Sequence, residues 1–215
     1  MAQDGYTLYG FDGSGSASVE IALERLGIPY RRVAAASWED GPGLAELAAL
    51  NPLKQIPTLQ LPGGEVLTES AAILIHLGLL HPDSGLLLVE ALRRAQAIRG
   101  LVYIAANCYS AISVIDYPER YTTDTGEAAR QAVRAGARER LHHHWSLFAD
   151  QFAAYPFFSG DTPGALDYLA AVVSKWSGTR AYLREHRPEF HATIERIERD
   201  PQVAAVFARH WPAQR

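Results

Sequence analysis

Over its first eighty residues the chain alternates short apolar stretches with segments of helical periodicity. Tyr6 to Tyr9 predicts a strand that runs into a Gly/Ser loop, Gly10 to Gly15. Ser16 is placed to cap a helix that continues to Leu26 and stops at Gly27, with Val19, Ala22 and Leu26 on one face. Tyr30 to Val33 predicts a second strand after Pro29, and Gly43 to Leu50 a short helix. Thr58 to Leu61 and Glu65 to Thr68 read as two strands of a hairpin joined at Pro62-Gly63-Gly64, followed by a helix from Glu69 to Leu80. The predicted order is β-α-β-α-β-β-α, and the first two strands are parallel if they pair across their helix.

After residue 80 the pattern changes. His81 to Gly85 (HPDSG) has linker composition, and no convincing strand follows it. Leu86 to Ile115 predicts one long helix or a kinked pair. Glu127 to Phe152 is the cleanest helix, with Leu141, Trp145, Phe148 and Phe152 at i, i+4, i+7 and i+11. Helical segments are also expected from Ala165 to Trp176, around Phe190, Ile194 and Ile197, and from Gln202 to His210. The expected organisation is a mixed α/β domain over 1–80, a linker over 81–85 and an all-helical domain over 86–215.

Composition narrows the function classes. With 48% apolar residues in 215, the chain can bury a sizeable core. A net charge of −4 offers no general attraction to nucleic acid or to an anionic membrane. The single cysteine, Cys108, allows no intramolecular disulfide and suits a reducing cytoplasm. The N-terminal residues lack the basic-then-apolar pattern of a leader. The least charged stretch, Gly100 to Ile115, reads as too short and too polar to span a bilayer. The expectation is a soluble, cytoplasmic protein.

Two stretches carry candidate chemistry. In Asn51-Pro52-Leu53-Lys54-Gln55-Ile56-Pro57-Thr58-Leu59 a proline stands where a loop enters an apolar strand, which suits a cis Ile56–Pro57 bond beside a ligand. In Gly63-Gly64-Glu65-Val66-Leu67-Thr68-Glu69-Ser70 a strand runs directly into a helix. The unpaired N–H groups of a helix start bind carboxylates, and Ser70 adds a hydroxyl. Glu69 can pair with an ammonium group, so the junction suits an amino-acid head group. His142-His143-His144 is read as no metal site, because adjacent helical residues point about 100° apart. Cys108 is read as a packed thiol.

These stretches, together with YTLYGFDGSGSASVEIALERLGIPY and SGDTPGALDYLAAV, resemble the cytosolic glutathione transferase family, of the bacterial, serine-like kind. The resemblance covers nearly the whole chain. It implies a thioredoxin-like first domain with an all-α second domain, and glutathione as co-substrate without a metal. Gln55, Ile56 and cis Pro57 would hold the cysteinyl part of the tripeptide, and Glu69 with Ser70 its γ-glutamyl head group. The thiol-activating residue falls in the loop after the first strand, with Ser14 first, Ser16 second and Tyr9 third. The position used by cysteine-type members falls on Gly15, which excludes that chemistry there. Asp167 matches a helix-start aspartate whose role is folding, with Gly164 in place of the usual Ser/Thr cap.

The electrophile is expected against the long helix, on the face formed by Tyr103, Asn107, Ser110 and Val114, with Arg99 one turn earlier. Tyr117, Arg120 and Tyr121 are placed to close over it. The implied activity is transfer of the glutathione thiolate to a hydrophobic electrophile, a detoxification chemistry. The alternatives are a glutathione-dependent disulfide or peroxide reductase and a non-catalytic glutathione-binding or protein-interaction module. A homodimer is expected from the resemblance and from the apolar helix after Leu86.

Overall fold

The computed structural model of the chain describes residues 5–152, 154 and 156–212. Four strands form one sheet in the order β2-β1-β3-β4: β1 is Tyr6–Gly10, β2 Tyr30–Ala34, β3 Thr58–Gln60 and β4 Val66–Thr68. β1 runs parallel to β2, with Tyr6 opposite Tyr30 and Gly10 opposite Ala34. It is antiparallel to β3, with Leu8 opposite Leu59, and β3 turns back on β4 with Leu59 opposite Leu67.

As the inner strand, β1 is covered on both faces, and its two central residues divide the core between them. Leu8 points to one side, where it joins Val19, Ala22 and Leu23 of α1 (Ser16–Arg25) and Ile73, Leu74 and Leu77 of α3 (Ser70–Leu80). Tyr9 points to the other, where it meets Val33, Ala35 and Leu47 of α2 (Pro42–Leu50). Successive side chains on a strand face opposite ways, so helices cover both faces. Helix α2 packs close to β2 at Gly43, where an added Cβ would lie 1.9 Å from the Ala34 carbonyl oxygen. The result is a thioredoxin-like α/β sheet followed by a mostly helical second half.

The second half differs from expectation at its start. Leu86 and Leu87 do not begin a helix. They run irregularly and are buried between the halves, where the Leu86 carbonyl accepts from Ala165 N at 2.9 Å. Helix α4 (Ala91–Tyr103) starts at a cap from Glu90, whose carboxylate accepts from Leu92 N at 2.8 Å and Arg93 N at 2.7 Å. It continues through a π-helical stretch, Ile104–Tyr109, into α5 (Ser110–Asp116). The whole span, Ala91–Asp116, is 26 residues with a mean hydropathy of 1.4 in its most apolar window, long and apolar enough to cross a membrane, contrary to the expectation from Gly100 to Ile115 alone. Here Leu101, Ile104, Cys108, Ile112 and Ile115 are buried in the protein core.

Helix α6 (Glu127–Gln151) buries Leu141, Trp145 and Phe148, with Phe152 just beyond its end, as their spacing predicts. Helix α7 (Ala165–Val173) is buried along its whole length. Its start is tied down by Asp167, whose carboxylate accepts from Gly164 N at 3.0 Å, Phe158 N at 2.9 Å and Ser159 N at 3.0 Å. These three bonds offset the missing side-chain cap at Gly164. Burial still pushes the Asp167 carboxyl up to about 6, against the pull of those donors. Helix α8 (Thr179–His186), a short amphipathic helix that buries Thr179 and Leu183, is an addition to the elements expected from the sequence. Helices α9 (Pro188–Glu198) and α10 (Pro201–His210) follow, and α10 returns to pack against α1.

Candidate active site

A cleft of about 620 Å³ lies between the two halves. Its floor comes from the loops at one end of the sheet. The first contribution is Gly13, Ser14 and Gly15, at the start of α1. The Ser14 hydroxyl oxygen accepts from Ser16 N at 3.2 Å and Phe11 N at 3.4 Å, and lies 2.8 Å from the Ser16 hydroxyl. Donors aimed at an oxygen polarise it, so when Ser16 donates to it, Ser14 keeps its own proton for a partner in the cleft.

The second contribution is Leu53 to Pro57. The Ile56–Pro57 bond is cis, in line with the reading of the sequence. This loop is held from behind by Asn51, whose buried amide donates to the Gln55 carbonyl at 3.1 Å and to the Thr58 hydroxyl at 3.0 Å. Its side-chain oxygen accepts from Leu53 N at 3.1 Å, and the Thr58 hydroxyl donates to the Gln55 carbonyl at 2.8 Å. Asn51 was not singled out from sequence, although a polar residue opening a loop that ends in proline is the available signal. The third contribution is Thr68 to Ala71, where Glu69 and Ser70 stand at the start of α3.

Among the described residues, the non-glycine residues with left-handed backbone are Lys54, Glu69 and Ser177, at φ 54°, 65° and 57°. All three line this cleft. Such conformations cost of order 1–3 kcal/mol each and gather at ligand sites.

The other wall belongs to the helical half: Ala105, Tyr109, Ile112 and Asp116 along one helix face, Tyr117 and Arg120 beyond it, and Leu169 and Trp176 opposite. The Arg120 guanidinium lies over the Tyr117 ring at 4.0 Å, and burial holds the Asp116 carboxyl above its ordinary range.

Several sequence-derived candidates lie elsewhere. Ser16 is fully buried below the cleft, where its hydroxyl has two acceptors within reach, the Ser14 hydroxyl at 2.8 Å and the Phe11 carbonyl at 3.3 Å. It is the first helical residue, the cap position falls on Gly15, and no side-chain cap forms. The Tyr9 hydroxyl points away on the α2 side and donates to Glu46 at 2.7 Å, and burial and that carboxylate push it up to about 12. Neither Ser16 nor Tyr9 lines the cleft. Most of the expected electrophile face is turned toward α6 rather than toward the first half. Arg99 stacks over Phe152 at 4.6 Å and the Tyr103 hydroxyl donates to the His144 carbonyl at 3.0 Å, so both face α6. Asn107, Ser110, Val114 and Tyr121 line a separate groove against α6, and only Ser110 also borders the cleft. The long helix carries polar and aromatic residues on both faces, so periodicity does not reveal which one meets the sheet.

His142 stacks on Tyr182 with ring centres 4.3 Å apart, while His144 meets Tyr103 edge-on. Cys108 is fully buried and its thiol is pushed up by burial, so it is held as a neutral packed group.

A thioredoxin-like sheet, a cis proline and a strand-to-helix junction facing a helical wall define a thiol-ligand-binding class of two-part fold. Residues 16–79 match the family described as glutathione S-transferase, N-terminal domain. A maleylacetoacetate isomerase of Pseudomonas aeruginosa is 31% identical over 166 residues, 75% of each chain. An uncharacterized GST-like protein of Escherichia coli, YncG, is 28% identical over 94% of this chain and 97% of its own. Among solved structures, a glutathione S-transferase from Methylobacterium radiotolerans in complex with glutathione sulfonate superposes with a TM-score of 0.75, at 26% identity over 94% of each chain. The chain belongs to the glutathione transferase family.

Proposed function

We propose that the chain is a glutathione transferase, with its glutathione site in residues 1–80 and its acceptor site contributed by residues 86–215 across the 81–85 linker. The observation that carries this reading is the meeting of three separate segments, Ser14, Gln55–Pro57 and Glu69–Ser70, on one cleft that continues into an apolar wall. Helix α3 directs its first N–H groups and the Ser70 hydroxyl to the γ-glutamyl carboxylate, while the Glu69 carboxylate pairs with the ammonium group. Gln55 and the backbone of Ile56 hold the cysteinyl unit. Ser14, at the positive end of α1, donates to the sulfur and stabilises its charged form. Glutathione supplies the nucleophile: its sulfur electron pair forms the bond to an electrophilic carbon, and the leaving group departs with its own pair. A free cysteine thiol ionises near pH 8.5, so lowering it by two units asks for about 2.7 kcal/mol, within reach of one hydroxyl and a helix start.

Calorimetry tests the binding. Glutathione should bind with a Kd between micromolar and millimolar, and Ser70→Ala should weaken it by about 1–3 kcal/mol. No heat at saturating glutathione would overturn the reading, and an unchanged Kd would remove Ser70 from the site. Turnover with a model aryl halide, a glutathione–disulfide substrate and maleylacetoacetate separates a transferase from a reductase, from an isomerase like the relative of that name, and from a binding module. We also propose a cytoplasmic homodimer. Leu79, Leu80, Val89, Leu92 and Val102 are each more than half exposed on α3, α4 and the segment between them, and light scattering at twice the chain mass checks the pairing.

A further inference from the structure

The space above Gly15 is taken by a side chain from the opposite half of the molecule. A Cβ added at Gly15 would lie 2.3 Å from the hydroxyl oxygen of Tyr109 and 3.2 Å from its ring carbon Cζ. The hydroxyl therefore rests on the backbone at the first turn of α1, and Tyr109 lines the same cleft as Ser14 and Glu69. No other glycine of the described chain meets a cleft-lining hydroxyl in this way.

Three observations bear on what that hydroxyl does. Tyr109 closes the π-helical stretch Ile104–Tyr109, and π turns inside α-helices concentrate at functional sites. Its ring is fixed edge-on against Trp176, with centres 5.7 Å apart, so the hydroxyl is not free to swing away. Among the described residues the hydroxyl has no hydrogen-bond partner. A phenol carried into a cleft without a partner is a donor held for a ligand. Burial pushes Tyr109 up to about 12, helped by the charges of Asp116 and Glu69, so it keeps its proton at neutral pH. Asp116 and Glu69 are the titratable groups that bear on it, and both favour the protonated form.

We propose that Tyr109 is a second hydroxyl donor to the bound glutathione sulfur, reaching it from the helical half while Ser14 reaches it from the first. Tyr109 does not take the thiol proton, which leaves to solvent through the open cleft. It keeps its own proton and donates a hydrogen bond to the thiolate. The site thereby spans both halves, and the absent side chain at position 15 makes room for this arrangement. The inference rests on the glutathione reading, and its test separates the two.

The decisive measurement is the pH titration of thiolate absorbance in the enzyme–glutathione complex, for the wild type and Tyr109→Phe. Phenylalanine keeps the ring and its packing on Trp176. The bound thiol should titrate about one pH unit higher in the variant, turnover at neutral pH should fall about tenfold, and the loss should shrink as pH rises. Glutathione affinity should change less than turnover. A thiol that titrates at the same pH in both proteins would overturn the proposal. Gly15→Ala supplies the second arm, because the new methyl group must displace the hydroxyl. If the hydroxyl is what matters, Gly15→Ala should raise the thiol pKa in the wild type and add little in the Tyr109→Phe background. Full additivity of the two would overturn it as well. If glutathione produces neither heat nor a thermal shift with the wild type, the underlying reading fails first, and the outcomes remain distinguishable.

Discussion

The two walls of the cleft are built on different principles. The first-half wall is made of short contiguous segments, 53–57 and 68–71, in which backbone geometry does most of the work: a cis proline, two left-handed residues and the start of a helix. The helical wall is made of single side chains spaced along a helix face, Ala105, Tyr109, Ile112 and Asp116, joined by Leu169 and Trp176 from a distant part of the chain. A segment that presents its own backbone carries its site in its local sequence. A wall assembled from helix faces acquires its site only when the helices dock.

The largest effect is expected at the element that fixes the helical wall. Asp167→Ala leaves three backbone N–H donors without their acceptor at a buried helix start. We expect a loss of about 3 kcal/mol or more in denaturant unfolding, since each buried unsatisfied group costs roughly 1–3 kcal/mol. A loss under about 1 kcal/mol would mean that water or a shifted loop replaces the carboxylate.

A smaller effect is expected on the first-half wall. Ser14→Ala should cut turnover at neutral pH about tenfold with little change in glutathione affinity, and the deficit should close as pH rises because the thiolate then forms unaided. A flat ratio of variant to wild-type rate across pH would assign Ser14 to the loop's structure alone. If Ser14 and Tyr109 both donate to the sulfur, their pKa effects should be close to additive.

The halves are also joined by charge, at α1 and α10. Glu20 is almost fully buried, and its carboxylate meets Arg32 at 3.1 Å, Arg209 at 2.7 Å and His210 at 3.2 Å. Burial opposes its ionisation, but hydrogen bonds from His210 and Arg209 and the charge of Arg32 outweigh burial and hold the carboxyl below its ordinary value. Folded Glu20 thus titrates below an unfolded glutamate. Its contribution is complete above the ordinary glutamate value of about 4.3 and is lost as pH falls through the lower, folded value. Melting temperature measured downward through that acid range should drop less steeply in Glu20→Gln than in the wild type. Equal slopes would exclude the cluster from acid stability.

The smallest effect sharpens the contrast between helix faces. Asn107→Ala lies on the groove against α6 rather than on the cleft, so its KM for the acceptor should stay within about twofold of the wild type. A large change would return that face to the acceptor site.

What the sequence determined by itself is what a few adjacent residues can enforce. The β-α-β-α-β-β-α order, the Ile56–Pro57 turn and the Glu69–Ser70 junction each follow from local periodicity, a proline or a strand meeting a helix, and each stands where it was expected. Ser14, Ser16 and Tyr9 cannot be told apart by sequence, because hydroxyls two residues apart in a Gly/Ser loop, or on alternate faces of a strand, are equivalent until the sheet acquires its two coverings, and of the three only Ser14 lines the cleft. The start of α4 at Ala91 was hidden because Leu86 and Leu87 are as apolar as a helix face, although they fill the seam between the halves. Only the tertiary structure decided which side of the Ala91–Asp116 helix meets the sheet, and so which of its residues line the cleft. Both sides carry aromatic and polar groups, and the choice rests on how α6 and α7 pack against the helix, contacts made by residues dozens of positions away. The same docking sets the Tyr109 hydroxyl on Gly15, a juxtaposition of residues 94 positions apart that no local pattern encodes.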